Sequence, residues 1–88
     1  MPQPLSDPLL AAFGATIRDL RRAKGLSQEA FADLSNSHRT YIAEIETGKR
    51  NPTLINIARL AAALGIGVGE ILVATEKRLS EGGRPGST

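Results

Sequence analysis

Three glycines, Gly25, Gly48 and Gly65, cut this 88-residue chain into short pieces, and within each piece apolar residues recur three or four positions apart. That spacing marks amphipathic helices, and glycine readily takes the left-handed backbone with which helices end. Leu9, Phe13, Ile17 and Leu20 form the first stripe. It follows Asp7-Pro8, where the Asp can cap free N–H groups and the Pro suits a first helical position. Ser27 opens a second, shorter helix from Gln28 to about Ser35, with Ala30, Phe31 and Leu34 expected to face inward. The polar run from Ser35 to His38 reads as a turn. A third helix is expected from about Arg39 to Thr47, with Ile42 and Ile45 inside. Thr53 caps a fourth, whose Leu54, Ile57, Ala58, Ala61 and Leu64 recur at helical spacing. The fifth is expected from about Gly69 to Ser80, with Ile71, Leu72, Thr75 and Leu79 on one side.

Composition points the same way. Aromatic residues are 3% of the chain, namely Phe13, Phe31 and Tyr41, so the core must be built from Leu, Ile and Ala. Strands favour β-branched and aromatic types, and this balance favours helices instead. The expected fold is all-α, a compact five-helix domain over residues 8–80, preceded by a flexible arm at 1–7 and followed by a disordered tail at 81–88. There is no cysteine, which removes disulfides, thiolate catalysis and cysteine zinc sites together. No apolar run approaches a membrane span, and the opening residues lack the basic and apolar stretches of a signal peptide, so a cytoplasmic location is expected.

The net charge is only +2, but the basic residues are grouped: Arg18, Arg21, Arg22 and Lys24 precede Gly25, and Lys49 and Arg50 follow Gly48. Such clusters are either a footprint for phosphate or ordinary solvated helix faces. The third helix offers more. At about 100° per residue, Ile42 and Ile45 set its inner side, and Thr40, Ala43, Glu44 and Thr47 fall opposite, with Arg39 at the N-terminal edge. A short, polar, uncluttered outer face is what a helix needs to approach base edges in a major groove.

The segment Gly25-Leu26-Ser27-Gln28-Glu29-Ala30-Phe31-Ala32, the run Arg39-Thr40-Tyr41-Ile42 and the run from Ile45 to Thr53 resemble the lambdoid phage repressor and Cro (Xre) helix-turn-helix family. Leu60-Ala61-Ala62-Ala63-Leu64-Gly65 is similar to the same family's fourth helix. The resemblance implies a lambda-repressor-like fold and a transcription regulator acting on double-stranded DNA. It implies base contacts by Arg39, Thr40 and Glu44. Gln28 matches a phosphate-binding position that also buttresses the recognition helix, and Lys49, Arg50 and Asn51 match the backbone-tracking loop. Arg21 and Glu46 match a structural ion pair, which discounts Arg21 as a DNA contact. Within the family, the Arg39–Ile42 and Arg50–Thr53 runs look similar to restriction-modification controller proteins.

Several positions keep a second reading. Glu44 can read a base, sit on a solvated face, or orient Arg39. Tyr41 can donate its hydroxyl to a phosphate or simply pack at the core edge. His38, the lone histidine, reads as a turn residue rather than a metal ligand or switch, and it stands where the family usually places a capping Ser, Thr or Asp; Ser37 is the alternative cap. Homodimerisation on a palindromic operator is expected through Ile66, Val68, Ile71, Leu72 and Leu79, against the alternative that Ile71 and Leu72 only cover the core. No cofactor, metal or small-molecule effector is expected. The carboxylates are scattered and no nucleophile motif or phosphate-binding glycine loop is present, so the chain does not read as an enzyme. The rival function is a protein-interaction module, such as an antitoxin or coactivator, built on the same bundle.

Overall fold

A computed structural model describes residues 6–82. Five helices follow one another: α1 (Ser6–Ala23), α2 (Gln28–Leu34), α3 (Arg39–Glu46), α4 (Leu54–Leu64) and α5 (Val68–Gly82). The all-α expectation holds, and the differences lie at helix ends and in the phase of several stripes. The first helix begins at Ser6, so Asp7 lies inside it rather than at its cap. Of the expected arm, residues 1–5 lie outside the described residues. At the other end α5 reaches Gly82, past the expected stop near Ser80, and residues 83–88 of the expected tail are likewise outside the described residues.

The caps explain why the short helices start where they do. Ser27 Oγ accepts from the Ala30 N–H at 3.0 Å and Thr53 Oγ1 from the Asn56 N–H at 3.1 Å. Each satisfies a donor that the first turn cannot pair internally. The α4 and α5 axes then bend by 99° across the Gly65–Gly67 connection. No single described helix is long and apolar enough to cross a membrane.

The core gathers Phe13 and Ile17 from α1, Phe31 and Ala32 from α2, Ile42 and Ile45 from α3, Leu60, Ala61 and Leu64 from α4, and Ile71 from α5. Burying each large aliphatic side chain contributes about 1.5–3 kcal/mol against exposure. Ile71 is 0% exposed, so it fills the core and offers nothing to a partner copy, contrary to its expected place in a dimer surface. Leu9, Leu34 and Leu54 were expected inside and are exposed; Ala58 is exposed as well. In α2 and at its C-cap the buried positions are Phe31, Ala32 and Ser35, one step round from the expected set. Polar groups drawn into the core are paired. Ser35 Oγ donates to Phe31 O at 2.8 Å, and Thr75 Oγ1 to Ile71 O at 2.8 Å. Thr16 Oγ1 accepts from Arg78 Nε at 3.3 Å, and Arg78 also pairs with Asp19, bracing α5 on α1.

Two glycines set how closely α1 meets the end of α3. A Cβ on Gly14 would stand 2.2 Å from the Ile45 carbonyl oxygen, so only glycine lets the two backbones touch there. Gly48, at φ +76°, turns the chain out of α3 in the left-handed region, and a Cβ there would lie 3.1 Å from Ala11 Cα.

Candidate nucleic-acid interface

The third helix divides into two sides as its spacing predicts. Ile42 and Ile45 are 0% and 1% exposed, while Arg39, Thr40 and Thr47 stand open to solvent and Ala43 and Glu44 are half-buried. The outer side is therefore not packed against the bundle. At its start His38 takes the N-cap backbone conformation (φ −101°, ψ 148°) but makes no side-chain cap bond. Ser37 does not replace it: its oxygen accepts from Ser35 Oγ at 3.2 Å and from no backbone N–H of α3 among the described residues, while its proton goes to Ser35 O at 3.3 Å. The first turn of α3 thus keeps N–H groups without a capping side chain at the positive end of the helix dipole, an arrangement suited to an anion.

A line of hydrogen bonds ties this start to the interior. Arg21 donates to Glu46 through Nε (2.6 Å) and Nη2 (3.0 Å), a bidentate pair, and through Nη1 to the Leu26 carbonyl at 2.8 Å. Gln28 Nε2 donates to Glu46 Oε1 at 3.1 Å, and Gln28 Oε1 accepts from Arg39 Nη1 at 3.2 Å. The order is dictated by chemistry. An ionised carboxylate only accepts, so the Gln28 amide must turn its nitrogen to Glu46 and its oxygen outward, where the donor is Arg39. The hydrogen bond from Arg21 to Glu46 holds the Arg21 guanidinium above its ordinary pKa, against the opposing effect of burial. Both side chains are nearly enclosed, at 9% and 1% exposure, which makes the pair part of the frame rather than of the surface.

The other sequence-derived positions fall around the same face. Lys49, Arg50 and Asn51 form an exposed loop between α3 and α4. Glu44 does not orient Arg39; its Oε1 accepts from Arg50 Nε at 2.7 Å, and that hydrogen bond raises the Arg50 pKa. The Arg50 guanidinium lies over the Tyr41 ring, 5.3 Å from the centroid. Tyr41 is half-buried at the core edge, and its hydroxyl accepts from Asn56 Nδ2 at 2.9 Å, linking α3 to α4. Thr47 uses its hydroxyl inside the helix end, on Ala43 O at 3.0 Å. The sequence reading did not single out Asn56, Arg59 or Val73. The first two come to α3 only through tertiary packing. Val73 is 65% exposed on α5 beside Leu72 at 39%, whereas Ile66, Val68 and Leu79 are half-buried, Ile66 and Val68 packing against the core.

Five short helices, with an open third helix anchored by its second, define a helix-turn-helix protein. The family profile described as helix-turn-helix matches residues 17–71, and the chain belongs to that family. It is 44% identical over 66 residues to the control protein C.MunI of a Mycoplasma species, across 74% of this chain and 89% of that protein. Among solved structures, the restriction-modification controller protein C.AhdI from Aeromonas hydrophila matches with a TM-score of 0.69 at 50% identity, over 70% of this chain and 94% of that one. The controller protein C.Esp1396I, solved as a tetramer with its natural 35 base-pair operator, matches with a TM-score of 0.74 at 31% identity, over 81% and 93%.

Proposed function

We propose that this chain is a sequence-specific transcription regulator of the controller or repressor type, binding double-stranded DNA as a homodimer at a palindromic operator. One observation carries the reading: Thr40 projects into solvent, with exposed Arg39 at its N-terminal edge, from a helix whose inner side, Ile42 and Ile45, is sealed in the core. A rod of about 10–12 Å diameter fits a major groove about 12 Å wide. Arg39, Thr40 and Glu44 then face base edges, and Gln28, Tyr41, Lys49, Arg50 and Asn51 face phosphates. Similarity to C.MunI and C.AhdI supports the controller type, and the C.Esp1396I complex supports operator binding by an assembly of such chains.

One reading helix covers few base pairs, and pairing two copies doubles the site. The α5 surface for this is Leu72, with Leu79, Ile66 and Val68 at its margins and Val73 added by its exposure. The action is non-enzymatic and cytoplasmic, needs no cofactor, metal or small-molecule effector, and responds to the protein's own concentration. The test is selection of bound duplexes from a random pool by the full chain. Recovery of a two-fold symmetric site with half-sites about one helical turn apart is expected. Recovery of no common sequence, together with tight capture of a protein partner, would favour the interaction-module reading.

A further inference from the structure

On the α4 side of the reading helix lies a concavity whose Arg59 none of the contacts above uses. Tyr41 and Glu44 line it from α3, Arg50 from the loop, and Asn56 and Arg59 from α4, with His38 and Thr40 at the edge. Asn56 and Arg59 are three positions apart and so share a face of α4. The hydrogen bond from Asn56 to α3 has a definite direction. The Tyr41 oxygen accepts from Asn56 Nδ2, so the phenolic proton remains to be donated, and Asn56 Nδ2 keeps a second N–H.

Charge then decides what the concavity takes. Arg50 is matched by Glu44 at 2.7 Å, and each compensates the other. Arg59 is exposed and forms no ion pair among the described residues. One uncompensated guanidinium beside an available hydroxyl proton and an amide N–H is a seat for a single anion. Thr40 belongs both to the edge of this concavity and to the outer face of α3. When α3 fills a groove, one strand passes on the α2 side and the other on the α4 side.

We infer that the concavity seats a backbone phosphate of the strand on the α4 side, with Arg59 as its cation and Tyr41 and Asn56 as its neutral donors. The inference rests on the reading of α3 as the groove helix. It adds Arg59 and Asn56 to the interface and gives Tyr41 a defined donor role.

The experiment measures affinity of the full chain for its selected duplex and for an unrelated duplex at several salt concentrations. Arg59→Ala should weaken both duplexes alike and lower the slope of log K against log salt by about 0.9, the value for one phosphate contact. Between 50 and 200 mM salt this makes the loss of affinity about 3.5-fold smaller than for the unsubstituted protein. Arg59→Lys should restore the slope. An Arg59→Ala protein with unchanged affinity and slope overturns the seat. So does a defect confined to the selected duplex, which would make Arg59 a base reader. Those results leave the groove reading standing; failure of the unsubstituted protein to hold any duplex overturns both.

Discussion

Gly14 of α1 lies so close to the Ile45 carbonyl of α3 that a β-carbon at position 14 would sit 2.2 Å from that oxygen. The obstacle is backbone, which cannot rotate aside, and the Glu46 carbonyl carbon and oxygen stand 2.9 Å from the same point. Gly14→Ala must therefore push α1 and α3 apart. A loss of about 1–3 kcal/mol is expected, as for other overpacked interiors. Weaker operator binding should accompany it, because the reading helix moves. Chemical denaturation and a binding titration together check this; an alanine variant as stable as the parent would show that the two helices do not meet so closely.

Removing one partner of the Arg21–Glu46 pair leaves a charge with little access to water. Interior pairs broken this way lose about 3–5 kcal/mol, and the 9% exposure of Arg21 places this one near the lower end. Glu46→Ala should lower the melting temperature clearly, and added salt should not reproduce the effect. Unchanged thermal stability would mean the pair bears no weight. With the Arg21 pKa raised, any stability from that shift is fully present below the guanidinium's unfolded pKa and is lost only as pH climbs through the higher folded value. No change from this group is expected across neutral pH.

Readers and phosphate contacts should separate in a salt series. Arg39→Ala is expected to weaken operator binding by about 1–3 kcal/mol and to relax preference at one base pair in each half-site. Lys49→Ala should weaken all duplexes together and reduce the salt slope. If Arg39→Ala leaves sequence preference intact, Arg39 is not a reader.

Glu44 sits between both groups because it holds Arg50. The pair is open to solvent, so Glu44→Ala should leave stability nearly unchanged. Its effect on binding should be larger and of two signs. Loss of a negative charge and release of Arg50 should strengthen binding to unrelated duplexes, while discrimination in favour of the operator falls. Competition between labelled operator and bulk DNA measures the ratio directly.

For assembly, Leu72→Lys should shift the protein towards monomer, whereas Ile71→Ala should chiefly destabilise it, since Ile71 is sealed inside. Sedimentation at tens of micromolar distinguishes them. A parent chain already monomeric there would remove α5 as the pairing surface.

Two caps and three glycine stops were legible because they depend on neighbours in the chain, whereas Asp7 and Ser37 do not cap and α5 passes its expected end. Ser27, Thr53, Gly25, Gly48 and Gly65 lie where short-range chemistry requires them. The phase of the stripes was less so. In Leu54–Leu64 apolar residues occur on nearly every side, so spacing alone admitted Leu54 and Ala58 and passed over Leu60, which is 0% exposed. The seven-residue α2 is too short for its period to exclude a one-residue rotation. Ion-pair partners 25 positions apart came from resemblance, not spacing. The contacts of Tyr41 with Asn56 and of Gly14 with Ile45 come from helix packing, which no local pattern encodes.

The hydrogen-bonded line from Leu26 through Arg21, Glu46 and Gln28 ends on Arg39, and stops there. Thr40 hangs from the same helix with no such attachment. Descendants of this chain therefore have unequal freedom to acquire new target sites. Position 40 can be exchanged alone, but a new side chain at 39 gives up the bond to the Gln28 oxygen that ends the line, so 39 and 28 are expected to drift as a couple.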